Sequence, residues 1–259
     1  MLLAIDLGNT EITFGLFAGD RLVTNWRMTT GTVRTPDEWM SVLTSYLVQM
    51  GHSPQEVRAA VCASVAPSVT RALMEGVEKA VGTAPRAVGP ESALPIVLDV
   101  DEPMTVGADR VVNTLASLEL YGRDTIVVDF GTATTFDCIT ADGRFIGGVI
   151  APGVQTAADD LIRKTAKLPA TELIAPAKVI GRRTEDCVRA GVLFGNVEAT
   201  DGLVRRIKRE WPGDAEPFVV ATGGLAPRSA ELSAEIQEVE PHLTLIGLRV
   251  AARHLGLEW

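Results

Sequence analysis

An apolar run closed by Asp-x-Gly occurs twice in this chain, at one fixed spacing. LLAIDLGNT begins at Leu2 and TIVVDFGTA at Thr125, so Asp6 corresponds to Asp129 and Gly8 to Gly131, an offset of 123 residues (129 − 6 and 131 − 8). The correspondence continues downstream: Ala18-Gly19-Asp20 matches Ala141-Asp142-Gly143, and Arg21 matches Arg144. Each copy reads as a strand, a polar turn, a second strand, a tight turn and a third strand. Residue identity between the copies is low, yet one grammar at one offset is better explained by a duplicated domain than by chance.

Between and after the copies, strand and helix patterns alternate. PDEWMSVLTSYLVQM (36 to 50) carries apolar residues at helical spacing behind Pro-Asp-Glu. VRAAVCASVAP (57 to 67) reads as a short buried strand, followed by helical residues to about 81, and PRAVGP and LPIVLDV add short strands. GADRVVNTLASLELYG (107 to 122) reads as an amphipathic helix with Asp109 in its first turn. The second half adds a mainly helical stretch (156 to 210), the strand PFVVATGG and a last helix from about Leu245. Such alternation predicts an α/β fold. With the boundary in the 109 to 122 helix, two domains are expected, 1–115 and 116–259.

The 259 residues suffice for one large or two ordinary domains. A net charge of −9 argues against nucleic acid and anionic membranes as partners. No apolar run reaches the roughly 18 residues that a membrane span requires, and MLLAIDLGNT does not read as a signal peptide. Cys62, Cys138 and Cys187 form no CxxC pair and are expected to be reduced, buried thiols of a cytoplasmic protein. Three separated histidines offer no zinc site.

A carboxylate at the end of a buried strand is costly unless it is paired or binds a cation. A glycine two residues later lets the backbone approach a ligand. Turn N–H groups and small hydroxyls suit phosphate oxygens, and the carboxylate suits a metal ion that neutralises them. Asp6-Leu7-Gly8-Asn9-Thr10 and Asp129-Phe130-Gly131-Thr132-Ala133-Thr134 therefore read as two facing phosphate loops, and no GxxxxGK(S/T) P-loop is present. One Asp-x-Gly alone is better read as a turn cap; two in register favour nucleotide binding. Thr222-Gly223-Gly224 fits equally an ordinary strand-to-helix turn or close approach of a base or sugar. By their residue types alone, Asp109 is a first-turn residue favoured by the helix dipole, Arg110 a surface ion-pair partner and Thr184-Glu185 a helix N-cap.

The order of these elements resembles the superfamily of actin, sugar kinases and heat-shock ATPases, which implies two duplicated ribonuclease H-like domains with ATP in a cleft between them. DLGNT (6–10), PMTVGADR (103–110), DFGTATTFD (129–137), GGVIAPG (147–153), KLP (167–169), GRRT (181–184), ATGG (221–224) and LTLIGL (243–248) together are similar to type III pantothenate kinases over almost the whole chain. That resemblance implies ATP-dependent phosphorylation of pantothenate, the first step of coenzyme A synthesis, by a cytoplasmic homodimer. It implies ATP contacts from Asp6, Leu7, Gly8, Asn9, Thr10, Glu11, Ile12, Thr13 and Thr132, with Mg²⁺ near Asp6. It implies a pantothenate pocket of Val100, Gly107, Ala108, Asp109 and Arg110, with Thr184 reaching in from the partner subunit. Asp109 would be the general base and Asp129 the site of K⁺ or NH₄⁺. Two positions depart from the family pattern: Glu11 follows Asn9-Thr10, and Val100 stands where many members have an aromatic residue. The alternatives are a nucleotide-binding regulator without catalysis, or a kinase for another small alcohol; retention of Asp109 favours an enzyme.

Overall fold

The computed structural model describes all residues from Met1 to Trp259. The chain packs as two compact units. The first contains Met1–Gly122, Asp142–Phe145 and Leu243–Trp259, and the second Arg123–Ala141 and Ile146–His242. The first half of the chain runs β1 (Leu2–Leu7), β2 (Glu11–Ala18), β3 (Arg21–Thr29), α1 (Pro36–Gln49), β4 (Ala59–Ser64), α2 (Pro67–Val81), β5 (Arg86–Val88), β6 (Val97–Leu98) and α3 (Ala108–Tyr121). The second half runs β7 (Thr125–Phe130), β8 (Ala133–Ile139), β9 (Arg144–Pro152), α4 (Val154–Lys164), α5 (Thr184–Glu210), β10 (Phe218–Thr222), α6 (Ala226–Ala230), β11 (Glu238–Val239) and α7 (Leu243–His254).

The duplication read from the Asp-x-Gly copies is present in the topology. The first sheet has the order β3-β2-β1-β4-β5, and the second runs β9-β8-β7-β10-β11 in the corresponding places. In both, the first two strands pair antiparallel and the central strand pairs parallel with the strand after the helical connection. The bounds of β1 and β7 differ by 123 at both ends (125 − 2, 130 − 7), as do those of β3 and β9 (144 − 21, 152 − 29). Short β6 pairs with Arg144 and Phe145 at the start of β9, residues that belong to the first unit with it.

The central strand β1 is buried on both faces, which explains why LLAIDL is apolar almost throughout. Leu3, Ile5 and Leu7 join Trp39, Leu43 and Leu47 of α1 and Leu73 and Val77 of α2 in one core. Leu2 and Ala4 join Val111, Val112 and Leu115 of α3 and Leu245, Leu248 and Ala251 of α7 in another. Because strand side chains alternate between faces, Asp6 shares the face of Leu2 and Ala4, the face that α3 and α7 cover. In the second unit Ile126, Val128 and Phe130 pack with α4 and α5, which leaves Asp129 on the opposite face.

Helix α1 starts where Thr35 and Glu38 form a capping box: Thr35 N donates to Glu38 Oε2 at 2.7 Å and Glu38 N to Thr35 Oγ1 at 3.3 Å. Several local expectations change. Residues 165 to 183 separate α4 from α5 without regular structure, so the stretch expected to be helical is two helices and a long connection. Gly147 and Gly148 lie inside β9. Cys187 is exposed, whereas Cys62 and Cys138 are buried as expected. No helix is long and apolar enough to cross a membrane.

Helices α3 and α7 cross so closely that a Cβ on Gly247 would run into the carbonyl oxygen of Val112. Gly247→Ala is therefore expected to destabilise the protein by about 1–3 kcal/mol through overpacking. Urea unfolding measures this, and an unchanged midpoint would contradict the close crossing.

Candidate active site

Both Asp-x-Gly turns are built and braced alike. Asp6 sits opposite Thr13 of β2 and Ala63 of β4, and Asp129 opposite Thr135 of β8 and Thr222 of β10. The first turn spans Gly8 to Thr10 and closes through Gly8 N donating to Glu11 O at 3.0 Å. The second is one residue shorter, Gly131 and Thr132 alone, and closes through Gly131 N donating to Ala133 O at 3.0 Å. Ala133 and Thr134 thus lie in β8 rather than in the loop, and Thr134 is buried.

The braces were not anticipated from sequence. Thr30 donates its hydroxyl to Gly8 O at 2.8 Å and its backbone N–H to Thr10 O at 2.9 Å. In the second unit Gly153 N donates to Thr132 O at 3.2 Å, and Thr156 Oγ1 donates to the same oxygen at 2.7 Å. A Cβ on Gly153 would collide with the Gly131 and Thr132 carbonyls. Thr30 and Gly153 are themselves 123 residues apart (153 − 30), so the duplication offset was the signal that could have revealed them.

The glycine pair after β10 forms the strand-to-helix turn that leads to α6. Gly223 has φ +90°, a conformation that glycine adopts without strain. Its Cα passes against the Asp129 carboxylate, where a Cβ would strike Oδ1 and come within 2.8 Å of Phe130 N. The strand-to-helix turn leading to α6 thus folds over Asp129, and the glycine admits a neighbouring carboxylate.

Asp109 stands in the first turn of α3, and Gly107 occupies the N-cap. Asp109 Oδ1 accepts from Arg110 N at 2.8 Å, and a Cβ on Gly107 would overlap that same oxygen. Burial pushes the Asp109 carboxyl above the ordinary aspartate range, against the opposing pull of the Arg110 N–H and guanidinium. The Arg110 guanidinium lies over the Phe145 ring at 4.8 Å, a cation–π contact that fixes its direction.

Other expected site residues contribute unequally. The Leu7, Ile12 and Ala108 side chains are core, so these residues can offer a ligand only their backbone. Asn9, Thr10 and Thr132 are exposed, and Gly8, Thr13, Val100 and Gly107 half-buried. Glu11 is partnered by Arg27 at 3.6 Å across β2 and β3. Thr184 is the first helical residue of α5, and Arg183 holds the N-cap position without a side-chain cap. No group of three or more His, Cys, Asp or Glu side chains that could hold a metal is present. The carboxylates of Asp6 and Asp129 instead suit cations that take most of their ligands from phosphates, backbone or water. The Cys62 thiol, raised to about 12 by burial and then by the Asp6 charge, is an inert core group.

The type III pantothenate kinase family model matches residues 2–206. A type III pantothenate kinase of Moorella thermoacetica is 43% identical over 250 residues, covering 96% of this chain and 98% of that protein. Type III pantothenate kinase 1 of Symbiobacterium thermophilum is 45% identical over 256 residues, covering 96% and 95%. Among solved structures, component A of the (R)-2-hydroxyglutaryl-CoA dehydratase of Acidaminococcus fermentans shares the fold at a TM-score of 0.55 and 13% identity, covering 98% of this chain and 96% of that one. The ROK hexokinase of Thermus thermophilus does so at 0.50 and 14%, covering 98% of each. The duplicated α/β fold is thus the one shared with sugar kinases, and the chain belongs to the type III pantothenate kinase family.

Proposed function

We propose that this chain transfers the terminal phosphoryl group of ATP to the primary hydroxyl of pantothenate, giving 4′-phosphopantothenate and ADP, the first step of coenzyme A synthesis in the cytoplasm. The observation that carries the reading, beside family membership, is Asp109: a half-buried carboxylate at a helix start, oriented by Arg110 N and given room by Gly107. In the reaction the pantothenate hydroxyl oxygen bonds to the γ-phosphorus, the bond to the β–γ bridging oxygen breaks, and the hydroxyl proton passes to Asp109. An alcohol is a weak nucleophile, and a carboxylate raised toward neutrality is a better-matched acceptor for its proton. Alignment and charge neutralisation supply most of the remaining rate.

In this reading the Asp6 to Thr13 turn and Thr132 hold ATP. Backbone groups of Leu7 and Ile12 serve there, and Glu11 is kept from the phosphates by Arg27. Asp6 would hold Mg²⁺, which when bound neutralises phosphate charge. Asp129, enclosed by the Gly223 turn, would hold K⁺ or NH₄⁺. Val100, Gly107, Ala108 and Arg110 would line the pantothenate pocket. The protein would work as a homodimer with Thr184 reaching the neighbouring pocket. Support for the dimer comes from large apolar side chains left open in the second unit, Ile150, Ile174, Val179 and Ile180.

Incubation with ATP, Mg²⁺, K⁺ and pantothenate is expected to yield phosphopantothenate, detected by mass spectrometry; no product with either cation would reject the kinase reading. Asp109→Asn is expected to cut kcat by about 10²–10⁴ with ATP affinity unchanged. The wild-type acid limb of kcat/KM should lie above the ordinary aspartate value of about 3.9. Because folding raises this pKa, the ionised carboxylate weakens the fold at pH above it, so the Asn variant should also resist urea better at pH 7. A variant of full turnover would remove Asp109 from the reaction.

Asp129→Ala is expected to abolish activation by potassium, read from rate against potassium concentration; an unaltered response would place the cation elsewhere. Light scattering is expected to report a dimer, and a fully active monomer would contradict the shared pocket.

A further inference from the structure

One turn beyond Asp109 on α3, Asn113 is almost completely buried, and its carboxamide is only half used. Its Oδ1 accepts from Thr244 Oγ1 of α7 at 3.0 Å, whereas its Nδ2 has no hydrogen-bond partner. A buried donor without a partner costs roughly 1–3 kcal/mol, so it calls for a physical explanation. Residues four apart share a helix face with Cβ atoms about 5–6 Å apart, and helical side chains lean toward the N-terminus. Asn113 therefore leans toward the turn that carries Asp109. Thr244 and Gly247 lie three apart on α7, and the close approach of Gly247 to Val112 is what brings the Thr244 hydroxyl to Asn113. With its oxygen engaged by α7, the amide presents only its N–H groups elsewhere.

We propose that Asn113 is a positioning residue: Thr244 fixes its carboxamide so that Nδ2 donates to the carboxylate of Asp109 in the working enzyme, orienting the base toward the acceptor hydroxyl. This rests on the reading of Asp109 as the proton acceptor. The Asn113 amide would hold the carboxylate away from its local bond to Arg110 N when the acceptor hydroxyl needs it. α7, remote in sequence from every expected site residue, thereby becomes part of the catalytic support.

The double variant Asn113→Leu/Thr244→Val separates this from a purely structural role. Replacing both members of a buried polar pair by apolar groups of similar shape is close to neutral for stability. A structural pair would leave both urea midpoint and turnover near wild type. The positioning role predicts an unchanged midpoint with kcat down roughly ten- to hundredfold, the loss of one bond to a charged group, and KM for ATP within about twofold. Thr244→Ser, which keeps the hydroxyl, should restore wild-type kcat, and Thr244→Val alone should not; full turnover in Thr244→Val would overturn the proposal. A second measurement is spectroscopic, made with pantothenate and a non-hydrolysable ATP analogue present. The ¹³Cγ titration of Asp109 should move to higher pH in the double variant, because a lost donor disfavours the carboxylate. Arg110 is the charged side chain acting on Asp109. On α7, Arg249 and Arg253 pair with Asp20, and on β4 the titratable Cys62 lies by Asp6. An Asp109 titration midpoint unmoved in the double variant would sink the Asn113 proposal even in an active pantothenate kinase. A moved midpoint in a protein that makes no phosphopantothenate would sink the function and leave the contact standing.

Discussion

A carboxylate at the mouth of a fully buried strand imposes the main constraint on this molecule. Each central strand is buried through its first four residues and then places an aspartate fifth, first at Asp6 and again at Asp129. A charge at such a position is costly unless neighbouring groups or a bound ion engage it. Much of the surrounding structure serves these two positions. A turn begins two residues later, its backbone is tied by a strand end or a helix start, and in the second unit a glycine turn folds against the acid itself. The braces hold turn donors and carboxylates in fixed positions, the preorganisation by which the proposed phosphoryl transfer would avoid reorganisation during reaction.

The same economy governs α3. Its first turn carries Asp109, the carboxylate proposed to accept the proton, and its body is core on the face that packs against β1, β4 and α7. Burial that anchors the helix also raises the Asp109 pKa, so one packing arrangement supplies both rigidity and basicity. The helix closing the chain, α7, meets α3 at a glycine crossing. Only a residue without a side chain lets the two backbones come that close, and the Thr244 hydroxyl then reaches the interior of α3. Activity-related groups here are destabilising in isolation and are held by neighbours that pack well, the usual arrangement where a site demands strain or buried charge.

Legibility from sequence divided along physical lines. The strands, the α1 and α3 helices and the duplicated turns were visible because hydrophobic periodicity and turn residues act over a few positions. The offset held to the residue for β1 against β7 and β3 against β9. Thr30 and Gly153 obey it too, but neither residue type carries a chemistry that marks it in sequence. The extent of the second turn is ambiguous in sequence because Thr132, Ala133, Thr134 and Thr135 suit a loop or a strand equally; pairing with β7 decides it. The connection at 165 to 183 is masked in sequence by its helical flanks, although its prolines, Pro169 and Pro176, oppose a continuous helix.

The amino-acid order alone determined that two similar α/β units would form, that each would end a buried strand on an acid, and that a third acid would open a helix. Those are local facts, written in alternation, spacing and residue type. Only tertiary structure decided that Gly223 would lie on Asp129, that Thr156 would tie the second turn, and that Thr244 would meet Asn113 across 131 residues of chain. Contacts between residues so far apart in sequence leave no periodic trace. They come into being when sheets and helices stack, and it is there that an acid gains a neighbour to hold it in place.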